Sequence, residues 1–144
     1  MIGAIIGDIV GSRFEFNSKN IEPGFTLFTK DCNYTDDTIC TMAIADALMN
    51  HKDYAQTLRY WCRKYPDPMG GYGGYFQDWW EADDRPANLS CGNGAAMRIS
   101  PVGWLVNDYH EMLNQAKLAT ICSHNHPEAV KGAQCVATLI YWIR

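Results

Sequence analysis

The chain has 144 residues, 47% of them apolar and 19% charged, with a formal net charge of −4. That length suits one compact domain, and so low a charged fraction implies that much of the chain is buried. The acidic balance and the lack of any Lys/Arg run exclude a nucleic-acid platform, and no apolar run reaches the length of a membrane span.

The opening segment, MIGAIIGDIVGSRFE, has no basic leader, and Asp8 interrupts its apolar stretch. A signal peptide is not expected, and a cytoplasmic location is. Ile2, Ile5, Ile6, Ile9 and Val10 fall at helical spacing within residues 2–13. Residues 17–34 read as irregular, with Pro23-Gly24 as a break. A helix is expected from about Thr35 to Asn50; its apolar residues cover most of the circumference, so it should be central and buried. A shorter helix follows to Lys64, with Asp53 as N-cap. The stretch YPDPMGGYGGYF is rich in glycine and proline and reads as a loop, followed by a helix over 75–83 carrying Trp79 and Trp80. Next comes CGNGAAM and a helix broken at Ser100-Pro101, then helices over about 108–122 and 127–143. The expected class is all-α, a compact orthogonal helical bundle over residues 1–144. The last helix is apolar on most sides through Ile143, which calls for cover from a second chain or from a further half of the protein; the latter is favoured.

The six cysteines have long, irregular intervals and no C-x-x-C pair, so neither a zinc site nor a disulfide framework is expected. Several sit in apolar helical patterns and read as buried thiols.

Four segments carry chemistry. Tyr34-Thr35-Asp36-Asp37-Thr38 puts two carboxylates and two hydroxyls at a helix start. Capping by Thr35 and the helix dipole account for one Asp. Two adjacent carboxylates repel unless a cation or solvent intervenes, and hard oxygens at this density suit Mg²⁺, Mn²⁺ or Ca²⁺. In Gly7-Asp8-x-x-Gly11-Ser12-x-x-Glu15, Asp8 is a charge on an otherwise apolar helix, where lack of a partner would be costly, and Glu15 is placed to face a cleft. Ser90-Cys91-Gly92-Asn93-Gly94 is either an ordinary Asn-Gly turn or an anion site made of backbone N–H groups. Ser123-His124-Asn125-His126-Pro127 precedes a helix; either its histidines are metal ligands or, for His124, a ligand contact, or the segment is solvent-exposed with Asn125 or His126 as the cap, and Pro127 fits the first helical position.

In order, GAIIGDIVGSRFEF, YTDDT, GYGGYFQDWWEA, SCGNGAAMRISPVGWL and SHNHPEAVKGA resemble the motifs of the ADP-ribosylglycohydrolase family across nearly the whole chain. The resemblance implies that Thr35, Asp36 and Asp37 hold part of a paired Mg²⁺ or Mn²⁺ site, with Glu15 near the reacting ribose. It implies that Gly92, Asn93 and Gly94 contact the phosphate or ribose of ADP-ribose, that Tyr72 and Phe76 line the adenine end, and that His124 sits on the same cleft. The implied reaction is hydrolysis at the anomeric carbon of the ribosyl group of an ADP-ribosylated substrate, with Asp36, Asp37 and Glu15 as the catalytic carboxylates. Members of the family are about twice as long and carry a second metal motif, Asp-x-Asp-Thr/Ser, that has no counterpart here; Asp83-Asp84 does not match it. The expectation is therefore that the chain supplies about half of the metal site. It would be completed by a missing C-terminal half or by a homo-oligomer, unless the chain is a non-catalytic relative that binds ADP-ribose.

Overall fold

The computed structural model describes residues 1–16 and 21–144. Among these residues there are α-helices and short 3-10 turns but no strand; the one backbone bridge joins Asn88 to His124. The all-α expectation holds. Residues 17–20 of the stretch read as irregular lie outside the described residues.

Helix α2 (Asp36–Met49) is the centre of the fold, because small and branched apolar residues surround it: Ile39, Cys40, Ala43, Ile44, Ala45 and Ala47 are all buried. Helix α3 (Tyr54–Lys64) packs on α2 through Leu58 and Cys62 and turns Arg63 and Lys64 outward. Helix α4 (Gly74–Glu81) buries Phe76, Trp79 and Trp80. Arg59 of α3 donates to the Trp79 carbonyl and lies 4.1 Å over the Trp79 ring, which fixes α4 beside α3. Helices α6 (Tyr109–Ile121) and α7 (Pro127–Ile143) approach closely because small residues line their contact: Ala116 and Ala119 on one, Ala129, Ala133 and Ala137 on the other. Full burial of a side chain such as Ile44, Leu58 or Met112 is worth about 1.5–3 kcal/mol.

The helix starts follow from local chemistry. Asp53 accepts from the Gln56 N–H at 2.8 Å, Asp108 from Glu111 at 2.8 Å, and the His126 Nδ1 from Glu128 at 3.1 Å. Each cap satisfies one of the orphan donors of a first turn.

Two expectations need correction. Ser100-Pro101 does not break a helix; it opens α5 (Ser100–Leu105), where proline's missing N–H costs nothing in the first turn. The preceding GNGA segment is only a 3-10 turn, Asn93–Ala95. The cysteines divide: Cys40 and Cys62 are buried thiols, whereas Cys91 and Cys135 are exposed.

Helix α1 (Ile2–Gly11) ends sooner than its apolar pattern suggests and runs into a 3-10 turn at Ser12–Phe14. None of its residues is buried, and Ile2 keeps 69% of its surface. On α7, Leu139, Trp142 and Ile143 are likewise exposed. No helix among the described residues is long and apolar enough to cross a membrane.

Candidate active site

The acidic segments meet at the start of α2. Asp8, on α1, is the clamp that brings them together. Its Oδ2 accepts from the Thr35 N–H at 3.0 Å and from the Thr38 hydroxyl at 2.5 Å, and its Oδ1 accepts from the Thr35 hydroxyl at 2.6 Å. The charge that looked costly on an apolar helix is thus matched by three donors at a helix N-terminus, where the dipole also favours it. Ser12 adds a second tie, donating to the Ile9 carbonyl and accepting from the Asn33 N–H at 3.1 Å.

The clamp leaves the other carboxylates free. Asp36, Asp37 and Glu15 have no side-chain hydrogen bond or ion pair among the described residues. Burial pushes the Asp36 carboxyl up to about 7, helped by the charges of Asp37, Glu15 and Asp8. Burial pushes Asp37 up to about 6, with Asp8 and Glu15 contributing. Among the described residues no cation pairs with these carboxylates. The Thr35 hydroxyl donates to Asp8 and accepts from the Asp37 N–H at 3.2 Å, which leaves its oxygen one acceptor position.

Asp8, Glu15, Thr35, Asp37 and Asn93 line one open cavity of about 360 Å³. The donors are all hard oxygens, and no cation among the described residues pairs with Glu15 or Asp37; such a set suits a divalent cation of the Mg²⁺ type. Among the described residues, however, no three carboxylate, imidazole or thiol groups close into a cage for one. Gly70, at φ +83°, lets the glycine-rich loop pass behind Glu15: a Cβ there would stand 3.0 Å from the Glu15 Oε2.

A second cavity, of about 190 Å³, lies beyond Asn93. It is lined by Asp36, Phe76, Gly92, Asn93, Gly94 and His124, with Tyr75, Asn88, Ser90 and Met97 at its margins. Asn93 lines both cavities, and the adjacent Asp36 and Asp37 each line one. The acidic wall and the aromatic, glycine-rich slot therefore adjoin at Asn93 as the two sides of one cleft. Backbone pairing holds the slot together: Asn88 donates to the Ser123 carbonyl at 3.2 Å, and Asn125 donates back to the Asn88 carbonyl at 2.7 Å.

The histidines have separate roles. His126 is the α7 cap. His124 is not solvent-exposed; it keeps 4% of its surface, and its ring centroid lies 5.9 Å from that of Phe76. Desolvation, with the nearby Arg98 charge, pushes His124 down to about 4, so its imidazole is neutral at ordinary pH. Gly94 is required for this packing: a Cβ there would lie 2.7 Å from the His124 Nε2.

The structure thus places Glu15, Thr35, Asp36, Asp37, Phe76, Gly92, Asn93, Gly94 and His124 on the cleft. Tyr72 stands apart. It is in the core, its hydroxyl donates to the Tyr65 carbonyl at 2.7 Å, and its ring packs on Phe76 and Trp80. The exposed Tyr75, three residues on, takes the rim position.

Sequence reading missed the support beneath the slot. Arg98 is fully buried, its Nη2 donating to the Ala119 carbonyl at 2.9 Å and to the Ser123 hydroxyl at 2.7 Å. The signal available was an arginine inside the apolar run AAMRISPV, which needs buried acceptors to be tolerated.

The model of the ADP-ribosylglycohydrolase family matches residues 1–143. All but the last residue lies within that match, which takes in both walls of the cleft and the support beneath it. The chain belongs to the ADP-ribosylglycohydrolase family, whose hydrolases act on ADP-ribosyl groups.

Proposed function

We propose that this chain takes part in metal-dependent hydrolysis of the glycosidic bond between ADP-ribose and an N- or O-linked substrate, and that residues 1–144 form one helical domain supplying about half of the metal site. The observation that supports this reading is that two cavities adjoin at Asn93, with carboxylates that have no cation partner among the described residues on one side and a glycine-rich, aromatic slot on the other.

Asp36, Asp37 and the remaining lone pair of Thr35 would hold Mg²⁺ or Mn²⁺. Such an ion supplies Lewis-acid orientation of ribose hydroxyls and a more acidic bound water. Glu15 faces the same cavity and is free to accept a hydrogen bond from a ribose hydroxyl or from the attacking water. Asp8 holds the start of α2 in place, so the carboxylates keep their positions as charge develops on the ribose. On the other wall, Gly92, Asn93 and Gly94 border the slot at a turn that brings backbone close to a phosphate or ribose. The Phe76 ring supplies an apolar surface for the base end, and His124 a polar edge.

The open donor set favours a second reading, a non-catalytic relative that binds ADP-ribose or needs a partner surface to complete the site. Titration calorimetry of ADP-ribose into the chain, with and without Mg²⁺ or Mn²⁺, tests the ligand. Metal-enhanced binding that disappears in Asp36→Ala is the expected result; binding indifferent to metal and to Asp36 would remove the metal from the proposal. Release of ADP-ribose from an ADP-ribosylated peptide then separates the two readings: turnover favours the hydrolase, and tight binding without turnover favours the binder.

A further inference from the structure

The support beneath the slot forms a directed chain of hydrogen bonds. The Arg98 guanidinium has only donors, so its 2.7 Å contact to Ser123 obliges the Ser123 oxygen to accept. The Ser123 oxygen keeps one lone pair that could take an Nδ1–H from His124, 2.9 Å away, but its own hydroxyl proton would then have no oxygen or nitrogen acceptor among the described residues. Directed at an unprotonated Nδ1, that proton satisfies both groups. The nearby Cys122 thiol is directed at the Ala119 carbonyl at 3.3 Å and is in any case a weak acceptor. An Nδ1 that accepts a proton from Ser123 cannot carry one of its own. In a neutral imidazole the ring proton must then be on Nε2, the edge beside Gly94 and the cavity.

We propose that Arg98 and Ser123 are positioning residues that lock His124 in its Nε2–H form, so that the imidazole presents a hydrogen-bond donor, and not a base, to an oxygen of the ligand in the slot. Arg98 is suited to this task. It has no carboxylate partner among the described residues, and two of its donors, Nε and Nη1, have no partner at all. A buried guanidinium without a counter-ion is expensive as a purely structural device. Here its charge also opposes a second proton on the ring and gives the slot a field that favours an anion. The Phe76 ring, 5.5 Å from the guanidinium carbon, covers the charge on its other side. The identity of the anion rests on the ADP-ribose reading above; the tautomer does not.

Long-range ¹H–¹⁵N NMR of the full chain with ¹⁵N-labelled histidine reads the ring directly, with His124→Gln to assign the signal. The wild-type protein should show His124 with an unprotonated Nδ1 and a protonated Nε2. Ser123→Ala and Arg98→Met should each give a mixture of tautomers, and Ser123→Thr, which keeps the hydroxyl, should restore the wild-type pattern. A protonated Nδ1 in the wild type would overturn the proposal without recourse to any variant, and so would an unchanged pattern in a folded Ser123→Ala protein. Titration with ADP-ribose provides the second measurement: Ser123→Ala should bind about tenfold more weakly and Ser123→Thr close to wild type. If no variant and no wild type binds ADP-ribose while the tautomer pattern is as expected, the lock stands and the ligand reading falls.

Discussion

The two walls of the cleft are built in opposite ways. The slot formed by Phe76, the Gly92–Gly94 turn and His124 rests on buried material: the α2 core on one side, and Arg98, Ser123 and the small-residue seam of α6 and α7 on the other. The acidic wall joins the first turn of α2, which carries Asp36 and Asp37, to α1, which buries none of its own residues and is tied to α2 by the three hydrogen bonds of Asp8. One wall is neutral at its polar edge and supported by a fixed positive charge. The other holds carboxylates that repel one another. The contrast shows how a single fold can hold a preformed ligand slot beside a charged wall whose stability depends on what binds it.

Substitutions can break this comparison at either wall. The largest effect is expected in the shared core: Ile44→Ala should cost about 3 kcal/mol, within the range for a fully buried aliphatic side chain, and urea unfolding would read it. Asp8→Ala should come next, at about 2 kcal/mol, because three donors lose a charged acceptor at once. Hydrogen exchange should place that loss in α1 and the first turn of α2; protection lost evenly over the whole chain would mean that α1 is not the weak element.

Charge removal should act in the opposite direction. In the native chain the Asp36 carboxyl keeps its proton up to about pH 7, whereas in the unfolded chain it releases it near its ordinary value of 3.8. The native state therefore holds more protons between those limits, and the metal-free protein should lose stability as pH rises from about 4 to 7. Asp36→Asn should stabilise the metal-free protein at pH 8 by about 1 kcal/mol, after allowance for the partial exposure of the group. Mg²⁺ or Mn²⁺ should raise the Tm of the wild type and not that of the variant. A pH-independent Tm over this range would refute the claim that the acidic wall is under charge strain. The smallest effect is expected at the outer face of α1, where Ile6→Ser should change stability by less than about 0.5 kcal/mol, since that side chain keeps 45% of its surface.

Much of this was legible in the sequence because the signals are local. Thr35 and Asp53 cap helices with side chains whose partners lie two and three residues away. The apolar circumference of 36–49 marks a central helix by itself. The place of Tyr72 and the partners of Arg98 were not legible, and for the same reason. Whether an aromatic ring of the glycine-rich loop lines the cleft or enters the core depends on where that loop folds back: Tyr72 goes inward to the Tyr65 carbonyl, and Tyr75 stays at the rim. Arg98 makes its bonds across 21 and 25 residues of chain, a separation that carries no periodic signal.

The sequence by itself determined the helical class, most helix starts, the family resemblance and the segments that bear chemistry, because caps, periodicity and short motifs act over a few neighbouring residues. Only the tertiary structure decided which charges are paired. It spends Asp8 on Thr35 and Thr38, gives Asp36 and Asp37 no ion-pair partner among the described residues, and buries Arg98 under His124, because pairing and desolvation depend on distances that the packing of distant segments sets.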